Sequence, residues 1–248
     1  MNGNEKNYED FISTVSHELR TPLTSIRGFA QTMLTSWDKL DDGSKKKFLK
    51  IIEEQSNRLI NLVENMLSAT KLSQQKESII LKEIQVKSVI NTVIQVVKSQ
   101  YPDKIFTVKS DRNTPPVLAD RDNLTRIITN LVENAAKYGD ENSTILIETG
   151  FCGNDEFVSV KITNTGIGIK EEDYDKIFTK FSRLDNPLTR RVQGSGLGLY
   201  ITKNLVEKTG GKISVKSTPD KDGKFLTTFE VLLPAGNIER QARSKCSM

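Results

Sequence analysis

The chain has 248 residues, 36% hydrophobic and 27% charged, with 36 basic and 32 acidic side chains and a formal net charge of +4. That length accommodates one large domain or two modest ones, and the near balance of charge, without a dense basic stretch, argues against nucleic acid as a partner. Cys152 and Cys246 lack metal-ligand spacing, exclude a disulfide framework and fit a reducing compartment. No apolar run approaches the roughly 20 residues that span a bilayer. The polar start at Met1 carries no signal peptide, so a soluble chain is expected.

Residues 6–72 read as two long helices. The first carries Phe11, Ile12, Val15, Leu19, Ile26, Phe29, Ala30 and Met33 at spacings of mainly three and four, which makes one apolar stripe. Ser36–Gly43 is rich in turn residues, and Ser44 reads as the cap of the second helix, whose stripe runs through Phe48, Ile51, Ile52, Leu59, Leu62, Val63, Met66 and Leu67. A short loop makes the pair an antiparallel hairpin with its stripes half exposed. Two copies forming a four-helix bundle would bury them, which predicts a homodimer; the alternative is packing against the rest of the chain. Residues 73–81 read as a polar linker and hinge, residues 82–236 as a second domain, and residues 237–248 as a polar tail.

In the second domain the pattern predicts helices at Val86–Lys98, Arg121–Tyr138, Glu171–Phe178 and Ser195–Lys208, the last stopped by Gly210-Gly211. Strands are predicted at Lys104–Lys109, Thr144–Thr149, Glu156–Thr163, Lys212–Ser217 and Lys224–Leu233, with turns at Gly153-Asn154 and Asp222-Gly223. Hairpins mixed with helices indicate an α+β sandwich.

His17 is the chain's single histidine. A neutral imidazole has an unprotonated ring nitrogen able to accept a phosphoryl group near neutral pH, and the Glu18 carboxylate is expected to hold the other ring N–H. Thr21 lies one turn on and shares the face of His17; Pro22 removes a backbone hydrogen bond and should bend the helix. A lone histidine is otherwise an ordinary surface residue. Asn130 and Asn134 are four apart on one helix, and amide oxygens suit a Mg²⁺ ion already held by phosphates. Lys137 offers charge to phosphate and Tyr138 a ring beside a base. Gly166-Ile167-Gly168-Ile169 follows a strand, where paired glycines admit a ligand close to backbone or simply make a tight turn. Gly194-Ser195-Gly196-Leu197-Gly198-Leu199 opens a helix, presenting free N–H groups and a positive dipole end to phosphate.

The stretch His17-Glu18-Leu19-Arg20-Thr21-Pro22-Leu23 resembles the H-box of two-component sensor histidine kinases. Asn130–Tyr138 is similar to their N-box, Asn164–Gly168 to the first glycine box, Phe178–Arg183 to the F-box, and Gly194–Leu199 to the second glycine box. The resemblance covers roughly residues 8–234. It implies a helical hairpin forming a dimeric four-helix bundle, followed by an α/β-sandwich ATP-binding domain of the Bergerat (GHKL) type. It also implies a chain that uses ATP and Mg²⁺ to phosphorylate His17 and passes the group to an aspartate of a response regulator receiver domain. On that pattern Glu18 assists transfer and Thr21 positions water for regulator dephosphorylation. Asn134 holds Mg²⁺, Phe178 and Phe181 anchor a mobile lid with Arg183 reaching phosphate, and Thr228 lies near adenine; the polar stretch Asp185–Gln193 reads as the lid itself. The family's first glycine box opens with Asp; Asn164 stands there, keeping an acceptor oxygen without the charge, so adenine is expected to be held more weakly or less selectively. ATPases sharing this fold carry Glu where this chain has Asn130, and an amide cannot take a proton from water. The resemblance places the chain in the cytoplasm, alone or as the inner part of a membrane sensor. A phosphatase-dominant protein and a nucleotide-binding scaffold are the competing readings.

Overall fold

The computed structural model describes residues 3–73, 81–111, 113–152, 156–182, 196–220 and 223–236, with the backbone alone for 3–14 and 71–73. The chain divides into two compact units, residues 1–74 and 75–248.

The first unit is a helical hairpin of α1 (Gly3–Ser36) and α2 (Asp42–Ser73), joined through a 3₁₀ turn at Trp37–Lys39. The cap of α2 differs from expectation. Asp41, not Ser44, accepts the backbone N–H of Ser44 at 2.9 Å and its hydroxyl at 2.6 Å, so the helix begins at Asp42. Phe29 of α1 and Phe48 of α2 hold their ring centroids 5.1 Å apart, and Pro22, Met33, Leu62 and Ala69 are buried between the helices. Pro22 lies inside α1 without ending it. Most of the stripe is only half-buried, with Leu67 exposed at 58%, and outside it Leu34 stands exposed at 85% and Ile60 at 55%.

The second unit is a five-stranded sheet with three helices on one face. In chain order it comprises β1 (Lys82–Ile84), α3 (Val86–Gln100), β2 (Ile105–Ser110), β3 (Val117–Ala119), α4 (Arg121–Tyr138), β4 (Thr144–Cys152), β5 (Phe157–Gly166), α5 (Gly198–Lys208), β6 (Lys212–Pro219) and β7 (Phe225–Pro234). The main sheet runs β2-β4-β5-β7-β6, parallel only between β2 and β4; β1 and β3 form a separate antiparallel ladder. Glu171–Asp173 and Lys176–Phe178 are two 3₁₀ turns rather than the single helix expected.

The helix-facing residues alternate along the strands, as a half-covered sheet requires. Ile145, Ile147, Val158, Val160, Ile162, Phe229, Val231 and Leu233 are buried beneath Val89, Ile90 and Val93 of α3, Leu124, Ile128 and Leu131 of α4, and Ile201 and Leu205 of α5. The opposite face carries a row of alternating charge, Lys109, Glu148, Lys161 and Glu230, on successive strands in register. Within it Lys161 Nζ lies 3.5 Å from Glu230 Oε1. The margins of the sheet are β2 and β6; β6 bears exposed Lys212 and Lys216 and ends at Pro219.

Capping fixes the helix ends. Asp120 accepts the N–H of Asn123 at the start of α4. Gly210, at φ +78°, closes α5: its N–H donates to the Glu207 carbonyl and that of Gly211 to the Val206 carbonyl, both at 3.0 Å, a Schellman arrangement.

Candidate functional site

On α1 the imidazole of His17 is exposed and lines a shallow pocket with Arg20, Thr21, Thr24 and Ser25. Thr21 Oγ1 donates to the His17 carbonyl at 3.3 Å. Glu18, expected to assist His17, also meets the facing helix. Consecutive helical side chains diverge, and the Glu18 carboxylate turns to α2, where Arg58 Nη2 donates to its Oε2 at 3.4 Å. Both groups are shielded, with side-chain exposures of 16% and 24%.

The second unit gathers the other predicted residues around the C-terminal half of α4, the end of β5 and the start of α5. Asn130 Nδ2 donates to Thr202 Oγ1 of α5 at 2.7 Å. A Cβ on Gly198 would overlap Asn130 Oδ1, so this glycine lets α5 begin directly against the amide. Asn130 therefore joins two helices, while Asn134, one turn on, is half-buried and carries no side-chain hydrogen bond among the described residues. Lys137 Nζ pairs with Glu133 at 3.1 Å.

Gly166 marks the tightest approach. A Cβ there would overlap the Tyr138 carbonyl oxygen and lie 2.9 Å from Gly139 Cα. Two backbone bonds cross the contact: Ile167 N–H to the Tyr138 carbonyl at 3.1 Å and Asp140 N–H to the Thr165 carbonyl at 2.9 Å. The absence of a side chain thus seats the α4–β4 turn on the end of β5. Gly168 leaves room for the Phe225 ring, and Ile169 N–H donates to Ser217 Oγ at 3.1 Å.

Asn164 is buried at 3% exposure, and its Nδ2 has no hydrogen-bond partner. Beside it on the same sheet face is Thr227, directly across from Asn164 in the β5–β7 ladder and bonded through Oγ1 to Ser217 Oγ at 2.9 Å. Thr228, the residue expected near the base, lies on the opposite face, where its hydroxyl meets that of Thr163 at 2.9 Å. A shift of one residue along a strand reverses the face, so the neighbour of Asn164 is Thr227.

The helix expected from Ser195 begins at Gly198. Its N-cap residue, Leu197, supplies no side-chain cap and is buried, and Leu199 is half-buried. Gly196, at φ +66°, packs on the backbone of Phe181. Phe178 is buried edge-on to Phe229, centroids 6.4 Å apart, the packing role its ring suggests. Arg183, Gly194, Ser195 and the lid at Asp185–Gln193 lie outside the described residues, as do the turn at Gly153-Asn154 and Asp222.

Sequence reasoning missed Lys104. It is buried, pairs with Asp103 at 2.9 Å, and donates to the carbonyls of Gly139 at 3.3 Å and Asp140 at 2.7 Å, tying down the turn after α4. Tyr101 was missed too: burial first, then the carboxylates of Glu133 and Asp103, push its phenol up to about 12. A lysine or tyrosine before a strand gives no sequence signal of such placement.

Among the described residues no group of three His, Cys, Asp or Glu could hold a metal ion, and no helix is long and apolar enough to cross a membrane.

Two family profiles match. Residues 8–75 match the His Kinase A (phospho-acceptor) domain, and residues 119–237 match the histidine kinase-, DNA gyrase B- and HSP90-like ATPase. The chain is 32% identical over 222 residues to the signal transduction histidine-protein kinase ArlS of Staphylococcus haemolyticus, covering 90% of this chain and 48% of that protein. It is 30% identical over 233 residues to the sensor histidine kinase WalK of Bacillus subtilis, covering 91% and 36%. It thus spans about half or less of the length of these curated relatives. Among solved structures, the histidine kinase ThkA in complex with the response regulator protein TrrA matches at a TM-score of 0.64 and 28% identity, covering 90% of this chain and 61% of that one. The Acinetobacter baumannii histidine kinase AdeS matches in fold at a TM-score of 0.65 and 22% identity, covering 89% and 98%.

Proposed function

This chain belongs to the two-component sensor histidine kinases, of which it carries the catalytic core, and on that premise we propose that it transfers the γ-phosphoryl group of ATP to His17 and then to an aspartate of a response regulator. The observation that carries this reading is the state of Asn130. The position where a hydrolase needs a carboxylate holds an amide, already bonded to Thr202. The unit is therefore suited to hold ATP without activating water, and the acceptor is the exposed imidazole of the hairpin.

A ring nitrogen of His17 attacks the γ-phosphorus in line, a nitrogen–phosphorus bond forms, and the bond to the ADP oxygen breaks. The Glu18 carboxylate would hold the N–H of the second ring nitrogen and balance its developing positive charge. The half-buried, unbonded amide of Asn134 fits a ligand to Mg²⁺, which, when bound, neutralises charge on the phosphates. Lys137 adds positive charge, and the start of α5, at Gly198 and Leu199, would turn first-turn N–H donors to phosphate oxygens. Arg183, Gly194 and Ser195 would complete that cradle. Tyr138, Gly166, Gly168 and Ile169 frame the base side, with Asn164 and Thr227 at its floor.

The half-buried stripe and the exposed Leu34, Ile60, Val63 and Leu67 support a homodimer through the hairpin. A receiver domain would dock over the pocket around His17, and a response regulator as partner is supported by the relative ThkA, solved in complex with the response regulator protein TrrA. Thr21, on that surface, serves regulator dephosphorylation.

The test is incubation with Mg²⁺ and γ-labelled ATP, followed by acid and alkali treatment. Acid-labile, alkali-stable label that disappears in His17→Gln is the expected result. Label retained by that variant would move the acceptor elsewhere, and no label under varied conditions would end the kinase reading. Thr21→Ala should slow loss of phosphate from the regulator while leaving autophosphorylation intact.

A further inference from the structure

The amide of Asn164 is buried at the helix-side end of β5 with its Nδ2 unpartnered. Ser143 Oγ is also buried without a partner. Gly139 lies close to both: a Cβ there would sit 2.6 Å from the Ala135 carbonyl oxygen, 3.1 Å from Ser143 Oγ and 3.6 Å from Asn164 Nδ2. Buried N–H groups are almost always satisfied, so the orphan donor of Asn164 marks where a ligand would bring an acceptor.

A carboxylate at this position could only accept. The amide both donates and accepts, and it can turn over about its last torsion. Adenine presents an amino donor at its 6-position, whereas guanine and hypoxanthine present the O6 acceptor. Against O6 a carboxylate sets acceptor against acceptor. The amide answers O6 with its Nδ2 donor, or the amino group of adenine with its oxygen.

We propose that Asn164 makes the nucleotide site tolerant at the purine 6-position, so that it holds 6-oxopurine nucleotides alongside adenine nucleotides. The inference rests on the nucleotide site proposed above, with residue 164 facing the 6-substituent of the base.

Calorimetric titration of the full chain in Mg²⁺ with ADP and with IDP tests it; IDP lacks the 2-amino group of guanine, so it differs from ADP only in O6 and the N1–H that accompanies it. The wild-type dissociation constants should fall within about tenfold of each other, and Asn164→Asp should tighten ADP, weaken IDP and separate the two by about 100-fold. ADP binding with IDP more than about 100-fold weaker in the wild type would overturn the inference and leave the nucleotide reading intact. A folded Asn164→Asp variant with an unchanged ratio would overturn it as well. Failure of both nucleotides to bind would remove the nucleotide site itself, and the inference with it. The wild-type ratio stands as a test even if the variant does not fold.

Discussion

Gly166→Ala should disable the second unit through a single methyl group. The added carbon would overlap the Tyr138 carbonyl oxygen and lie 3.1 Å from Asp140 N. Backbone surrounds it, so no rotamer change relieves the clash. Overpacking costs about 1–3 kcal/mol. The required separation also weakens the two hydrogen bonds across the contact, each worth about 0.5–1.5 kcal/mol net. With partial loss of both, the expected destabilisation is about 2–4 kcal/mol. Gly150→Ala is the control: no atom lies within 4 Å of a Cβ there and its φ is ordinary, so it should stay within about 0.5 kcal/mol of wild type. Urea unfolding followed by far-ultraviolet circular dichroism measures the effect. Trp37, the only tryptophan, lies in the hairpin, so its fluorescence transition should not move. ADP affinity should fall with the displaced Tyr138 and Gly139. A Gly166→Ala protein as stable as Gly150→Ala would refute the claim that close backbone approach, rather than turn flexibility, requires this glycine.

Three further outcomes follow from the same geometry. Asn130→Ala strands the Thr202 hydroxyl, which is 1% exposed, and should cost about 1–3 kcal/mol; a double-mutant cycle with Thr202→Val should return about 1 kcal/mol of coupling, and none would show that the 2.7 Å bond is inert. Asp41, its pKa lowered chiefly by the Ser44 hydroxyl and then by the Ser44 N–H, contributes to hairpin stability above its ordinary carboxyl value. That contribution is lost as pH falls through the depressed folded value; Asp41→Asn should flatten this acid limb in the Trp37 fluorescence melt. Tyr101 titrates at about 12 when folded against 10.0 ordinarily, so its contribution is complete below 10 and declines as pH rises through 12. Tyr101→Phe should keep its melting temperature further into alkali, and absorbance titration should lose one of five phenols, the one ionising at about 12.

Periodicity made the long elements readable. The stripe of α4 returned its bounds because Asp120 caps it and apolar residues recur every turn through Ala136. The β6–β7 hairpin followed from its turn and alternating face. The three-residue ladder of β1 with β3 is too short to carry a period, and its pairing joins segments more than 30 residues apart. Asp41 and Ser44 are both competent caps, so only the direction of the hydrogen bond decides between them. Thr227 and Thr228 are adjacent and chemically identical; strand register alone tells which faces Asn164. The spacing of Asn130 and Asn134 placed both on one helix, but that one reaches Thr202 is a property of how α4 packs on α5. Likewise Glu18 is adjacent to His17 in sequence, yet the facing helix supplies its partner.

The two margins of the sheet bear on how this protein behaves when crowded. Unpaired strands invite a neighbouring molecule to add itself as another strand, the first step toward fibrous precipitate. Here β6 meets a newcomer with two ammonium groups and a proline that donates no amide hydrogen, and the alternating charges across the solvated face resist lamination of one sheet onto another.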